Sequence, residues 1–305
     1  MRVLITGATG TIGLALADAL RARGDEVVAL SRDPERGKRV LGDGAEVFAW
    51  SRPTEGPPPP EALAGAQGVV HLLGEPVAQR WTDEAKARIR DSRVLSTRAL
   101  VAGLTAAPEG ARPAVLLSQS ATGYYGSRGD APLDEHASAG DDFLADVVVA
   151  WEREAQAADQ LMRVACTRTG VVLAPDGGAL AKMLPFFKLG LGGPVAGGRQ
   201  YVPWIHLDDV IGALIRCLDD SGAQGPVNVT APNPVTNAEL SRALGHALGR
   251  PAVLPVPAIA LKLLYGEMAE IVTGGQRVLP ARLRDLGYEF RHPELEAALR
   301  DVLGG

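Results

Sequence analysis

Short runs rich in Val, Ile and Leu recur along the first part of the chain, at Val3 to Thr6, Glu26 to Leu30, Glu46 to Phe48, Val69 to Leu73, Val115 to Ser118 and Val164 to Leu173. Longer stretches with helical spacing lie between them, at Ile12 to Arg23, Asp83 to Leu104, Asp142 to Ala158 and Asp208 to Leu218. Strands that are apolar throughout, rather than alternating, are buried on both faces. The pattern therefore predicts an α/β fold, a doubly wound parallel sheet covered by helices on each side. Past about residue 220 the pattern loosens. Thr236-Asn-Ala-Glu239 is a capping box opening a helix to about Leu248, and Pro251, Pro255 and Pro257 punctuate the chain beyond it. The expected division is a sheet domain over 1–220 and a smaller helical lobe over 221–305, with the lobe closing a cleft at the C-terminal strand edges.

Ile5-Thr-Gly7-Ala-Thr9-Gly10-Thr11-Ile12-Gly13 follows the first strand and opens the first helix. Glycines in that setting permit a tight turn and close backbone approach, while the helix N-terminus offers free N–H groups and partial positive charge to a pyrophosphate. The sheet is thus expected to be of the Rossmann type, with Gly7, Thr9, Gly10, Thr11, Ile12 and Gly13 holding a dinucleotide. The second strand ends Ser31-Arg32-Asp33. An acidic residue there would bind a ribose diol, whereas an arginine suits a 2′-phosphate. Ser31 and Arg32 point to NADP, and Asp33 is a contrary signal.

Charge and composition narrow the function classes. The net charge is −5 and the Lys and Arg residues are scattered, which argues against nucleic acid as a partner. No apolar run reaches membrane-spanning length and no signal core follows Met1, so a cytoplasmic protein without membrane association is expected. Cys166 and Cys217 lie in apolar segments without metal-ligand spacing; they read as buried free thiols, and no metal site is expected.

Val70-His-Leu72-Leu73-Gly-Glu75-Pro76, Ser118-Gln-Ser120-Ala-Thr-Gly-Tyr124-Tyr125-Gly126, Arg168-Thr-Gly170, Leu189 to Pro194 and Gly197-Gly-Arg199 to Asp209 complete the set of motifs. With them the chain resembles the extended short-chain dehydrogenases/reductases, and more narrowly their atypical "epimerase family protein" branch. The resemblance covers essentially the whole chain. It implies that Leu72, Leu73 and Glu75 pass along the adenosine and ribose, that Arg93 on the long helix reaches the cofactor, and that Gly170 and Val172 lie near the nicotinamide.

In that superfamily a serine and a tyrosine hold the substrate oxygen, and a lysine four residues after the tyrosine tunes it. Ser120 matches the serine. About 25 residues on, Phe143 or Leu144 takes the tyrosine place and Val147 or Val148 the lysine place, and no Tyr-x-x-x-Lys occurs anywhere in the chain. Tyr124 and Tyr125 are the substitute donors expected near Ser120, although they can equally well only turn the chain. On the substrate side, Arg199 is expected to meet a phosphate or carboxylate, His206 to contact Arg199 or substrate, and Asp208 or Asp209 to cap the following helix. The leading expectation is an NADP(H)-dependent oxidoreductase acting on an unidentified small molecule, as monomer or homodimer. The rivals are an NADP(H)-binding redox sensor without turnover and a nucleotide-sugar epimerase.

Overall fold

The computed structural model describes residues 1–175 and 177–304. Seven parallel strands form one sheet: β1 Arg2–Thr6, β2 Glu26–Ser31, β3 Ala45–Ala49, β4 Gly68–His71, β5 Val115–Ala121, β6 Arg163–Thr169 and β7 Gly225–Val229. Their order across the sheet is β7-β6-β5-β4-β1-β2-β3. The strand order reverses beside β1, which places a crevice at the carboxyl ends of β1 and β4.

Successive strand residues point to opposite faces, and both faces are filled. Val3, Ile5, Val27, Val70, Leu117, Ala165 and Val227 pack with helices α1 Thr11–Ala22 and, further along the chain, Leu207–Asp219. Leu4, Val28, Val69, Leu116, Val164 and Cys166 pack on the other side, against residues of the helices at Asp83–Ala106 and Phe143–Gln156. Numbering the longer helices in chain order gives α2 Pro34–Leu41, α3 Asp83–Ala106, α4 Phe143–Gln156, α5 Gly178–Lys188, α6 Leu207–Asp219, α7 Asn237–Ala247, α8 Ala258–Tyr265 and α9 Leu295–Val302. The capping box read from the sequence opens α7, with the Thr236 and Glu239 side chains each bonded to the other's backbone N–H.

Two boundaries differ from expectation. The sheet continues past residue 220, because β7 pairs in parallel register with β6. The run Val164 to Leu173 is two strands rather than one. It breaks at Gly170, after which Val171–Leu173 pairs with Trp204–His206 in a separate ribbon. The physical cause is close packing: a Cβ on Gly170 would overlap the Pro203 carbonyl oxygen. Among the described residues no helix is long and apolar enough to cross a membrane, and Cys166 and Cys217 are buried free thiols.

Candidate functional site

The turn after β1 is shaped by what its glycines exclude. Gly7 has φ +69°, and a Cβ there would stand 3.0 Å from the Leu72 carbonyl. Gly13 lies in the first turn of α1, where a Cβ would overlap the Gly7 carbonyl oxygen and stand 2.7 Å from Ala8 Cα. Gly10 caps α1 without any side-chain acceptor, and Thr9, Gly10 and Thr11 are exposed at its mouth with Ile12 half-buried. A helix start whose N–H groups no described side chain caps, in a cradle where a Cβ at Gly7 or Gly13 would crowd the backbone, suits a pyrophosphate. Gly177, before α5, borders this mouth: a Cβ there would come within 2.5 Å of Thr11 Oγ1.

At the end of β2 the contrary signal from Asp33 disappears. Asp33 Oδ1 accepts the Arg36 N–H at 3.0 Å and so caps α2, while Ser31 Oγ donates to the Asp33 carbonyl at 2.8 Å. Arg32 is exposed, and among the described residues its guanidinium has neither hydrogen bond nor ion pair. The local acid is occupied in starting a helix, and the local base is free.

Across the crevice, Leu72 and Leu73 are half-buried and pack on the two opposite cores. Arg93, expected at the cofactor, lies at the loop after β4, where its Nη1 donates to the Glu75 carbonyl at 2.9 Å and the Ile89 carbonyl at 3.1 Å. Its guanidinium also lies over the Trp151 ring. Burial lowers its pKa to about 10. Arg93 therefore ties the loop after β4 to α3, assisted by the Glu75 N–H donating to Ser92 Oγ at 2.9 Å. Behind the crevice His71 is fully buried, bonded through Nδ1 to Thr6 Oγ1 at 2.8 Å and through Nε2 to Thr97 Oγ1 at 3.0 Å. Thr97 gives its proton to the Arg93 carbonyl and Thr6 Oγ1 accepts the Leu72 N–H. His71 must then donate from Nε2; burial takes its pKa down to about 3, so the ring is neutral and its Nδ1 accepts from Thr6 Oγ1.

At the end of β5 the hydroxyls expected to serve a substrate are unequally available. Ser120, Arg168 and Asn228 stand side by side on β5, β6 and β7. Ser120 Oγ donates to Glu152 Oε1 at 2.6 Å. Glu152 on α4 takes Arg168 Nε and Nη2 in a two-pronged pair, both at 2.8 Å. Arg168 Nη1 donates to the Tyr125 hydroxyl at 3.0 Å, which in turn donates to Asn228 Oδ1 at 2.7 Å. Tyr125 is wholly buried, and burial raises its pKa to about 12. It is an interior strut rather than the substitute donor that its sequence position suggested. Tyr124 is half-buried, its ring lies 3.4 Å under the Arg168 guanidinium, and its hydroxyl has no partner among the described residues.

The open register of the missing pair is also decided by packing. A Cβ on Gly123 would meet Leu144 at 3.4 Å and Val148 at 3.9 Å, so these two residues, four apart on α4, face the turn after Ser120. Phe143 instead meets Trp81 edge to face at 5.0 Å. Sequence reasoning missed Glu152 and gave Arg168 no role beyond its motif. The available signal was an acidic residue on the buried face of α4, one turn after Val148.

The sequence profile of the NAD-dependent epimerase/dehydratase family matches residues 3–230, and a domain of unknown function, DUF1731, matches residues 256–302. The chain belongs to the NAD-dependent epimerase/dehydratase family. A chloroplastic epimerase family protein SDR39U1 homolog from Arabidopsis thaliana is 41% identical over 303 residues, covering 99% of this chain and 87% of the relative. The human epimerase family protein SDR39U1 (isoform 2), crystallised with NADPH, superposes with a TM-score of 0.89 at 36% identity, covering 100% of this chain and 99% of that one. A nucleoside-diphosphate sugar epimerase from Corynebacterium glutamicum is 35% identical with a TM-score of 0.78, and this chain covers 58% of it.

In the segment of this epimerase/dehydratase family member that was expected to meet substrate, Arg199 is exposed and without a partner among the described residues. Among the described residues no hydrogen bond joins His206 to Arg199. His206 is buried, caps α6 by accepting the Asp208 N–H on Nδ1, and stacks on His292. The cap is thus His206 rather than Asp208 or Asp209. Asp209 is buried and accepts from the Tyr288 hydroxyl and the Arg291 and His292 N–H groups. Gly170 and Val172 sit where β6 ends and the small ribbon begins. Lys182 on α5 donates to the Ala78 carbonyl at 2.5 Å, drawing that helix over the loop after β4.

Proposed function

We propose that the chain is an NADP(H)-dependent oxidoreductase that acts on a small carbonyl compound without a Tyr-x-x-x-Lys relay. The observation that carries the cofactor choice is the exposed, unpaired Arg32 beside an Asp33 withdrawn into a helix cap. The NADPH in the human relative's crystal structure supports the same reading. In this proposal Gly7, Thr9, Gly10, Thr11, Ile12 and Gly13 hold the pyrophosphate, and Ser31 and Arg32 the 2′-phosphate. Leu72, Leu73 and Glu75 border the adenosine and ribose, and Gly170 and Val172 the nicotinamide. When bound, the cofactor supplies or accepts a hydride at the nicotinamide ring.

The chain's own contribution is a proton and a fixed geometry. Tyr124 is the donor to the substrate oxygen, since its hydroxyl alone among Ser120, Tyr124 and Tyr125 is not already donated. Arg168, braced by Glu152, holds the Tyr124 ring from one face. Ser120 retains lone pairs and can accept from a substrate hydroxyl, while Arg199 is the anchor for an anionic group.

The reading is tested by fluorescence titration of NADPH and NADH against the parent and Arg32→Ala. Loss of a charge-assisted contact worth about 1.5–3 kcal/mol weakens NADPH by roughly one to two powers of ten and leaves NADH nearly unchanged. Equal losses for both would remove the 2′-phosphate role. Turnover is assayed against a panel of carbonyl compounds and quinones. A second reading, an NADP(H)-binding sensor without turnover, draws on Leu144 and Val148 filling the relay register. It prevails if NADPH binds tightly and is oxidised with no compound in the panel.

A further inference from the structure

Away from the cofactor turn, four polar side chains join the start of α6 to the C-terminal helix α9. His206 is 4% exposed, and with Nδ1 accepting the Asp208 N–H the neutral ring carries its proton on Nε2. Among the described residues that Nε2 is buried without a hydrogen-bond partner, although Asp301 Oδ2 lies 3.3 Å away. His292 stacks on His206 with ring centres 3.7 Å apart, and its own Nε2 lies 3.3 Å from Asp208 Oδ2. One ligand atom from each of the four residues lies within 4.8 Å of all the others. Buried polar atoms are normally paired, so the orphaned Nε2 asks for a ligand.

We propose that His206, Asp208, His292 and Asp301 form a site for one divalent transition-metal ion, with zinc the best match. Two imidazoles and two carboxylates are a donor set for zinc, and the two carboxylates balance its charge. Tetrahedral bonds of about 2.0–2.1 Å put neighbouring ligand atoms about 3.3 Å apart, the separation of both His–Asp pairs. Coordination through His206 Nε2 moves the ring proton to Nδ1, so the Asp208 amide bond to that nitrogen is given up. The Asp208 carboxylate, 4.0 Å from Nδ1, can take the N–H on one oxygen and the ion on the other. Asp209 holds the partner side in place by accepting the His292 N–H at 2.9 Å and the Arg291 N–H at 2.8 Å. Because its ligands come from residues 206 and 208 on one side and 292 and 301 on the other, the ion acts as a clamp on the C-terminal segment.

The test uses the full chain, freed of metal with a chelator and titrated by calorimetry with Zn²⁺, and by absorbance with Co²⁺ as a coloured reporter of tetrahedral geometry. One equivalent is expected to bind, with a rise in Tm that grows with free ion concentration. His292→Ala and Asp301→Asn each weaken binding about tenfold or more. His246→Ala, at an exposed histidine of α7, leaves it intact. Asp301 is on the surface, so its near-isosteric variant stays folded and readable. Absence of saturable one-equivalent binding, or undiminished binding in both variants, overturns the proposal.

Discussion

Replacing Glu152 by alanine strikes the one charged pair that is buried on both sides among the described residues. The Glu152 and Arg168 side chains are 5% and 4% exposed and meet through two contacts of 2.8 Å. Burial alone would depress the Arg168 pKa, but the hydrogen bonds and charge of Glu152 more than reverse this, so the guanidinium stays ionised. Without Glu152 that charge has no compensating carboxylate, and the Ser120 proton loses its acceptor. Removing one partner of a buried pair costs about 3–5 kcal/mol, a large part of a typical stability of roughly 5–15 kcal/mol. The expected fall in Tm is about 6–20 °C, at roughly 2–4 °C per kcal/mol for a large domain. Urea unfolding followed by tryptophan fluorescence gives the free energy directly. The double variant Glu152→Leu/Arg168→Met should recover most of the loss, because no charge is then stranded. A cost below about 1 kcal/mol for Glu152→Ala, or a double variant no better than the single one, would refute this account of the pair.

Gly13→Ala should abolish NADPH binding and lower Tm, since its Cβ would overlap Gly7, whereas Gly10→Ala, whose nearest neighbour would be at 3.4 Å, should fold normally; titration and thermal melts of both separate close packing from general intolerance. Tyr125→Phe leaves Asn228 Oδ1 and Arg168 Nη1 short of a partner and should cost about 1–3 kcal/mol. Tyr124→Phe should instead leave urea unfolding unchanged while lowering any turnover found. His71 titrates near 3 when folded and near 6.5 when unfolded. Its contribution to stability is therefore complete above pH 6.5 and is lost as pH falls toward 3, by up to about 1.4 kcal/mol per pH unit. His71→Asn should show a shallower acid dependence in urea titrations between pH 6 and 4, and parallel curves would contradict the burial of a neutral ring.

The sheet and the glycine turn after β1 were legible because both are written in local sequence. Continuous apolar runs announce strands covered on both faces, and glycines between the first strand and the first helix announce the cradle. The features that escaped depend on distant partners. β7 carries only a short apolar stretch, Val227 and Val229 around Asn228, and becomes a strand by pairing with β6. Asp33 looked like a competitor of Arg32 until its role as helix cap was fixed by geometry. That Arg93 also ties the loop after β4 to α3 was not legible, because the loop carbonyls that accept from it do not register in a residue pattern. Ser120 reads as a free hydroxyl in sequence, and its acceptor is 32 residues away on another element.

The row of Ser120, Arg168 and Asn228, with Glu152 below and Tyr125 at its side, also limits how this scaffold can be retrofitted. Asn228 Nδ2 donates to the Leu279 carbonyl, so the row is anchored in the C-terminal segment as well as in three strands. Writing tyrosine and lysine back at positions 144 and 148 would therefore restore a motif but not a relay, because the serine would still face its glutamate. An engineer would have to change Glu152 and Arg168 in the same step, and each half of that change alone strands a charge. The network thus works as a lock: while Glu152 holds both the serine and Arg168, a serine-tyrosine-lysine arrangement is several simultaneous substitutions away.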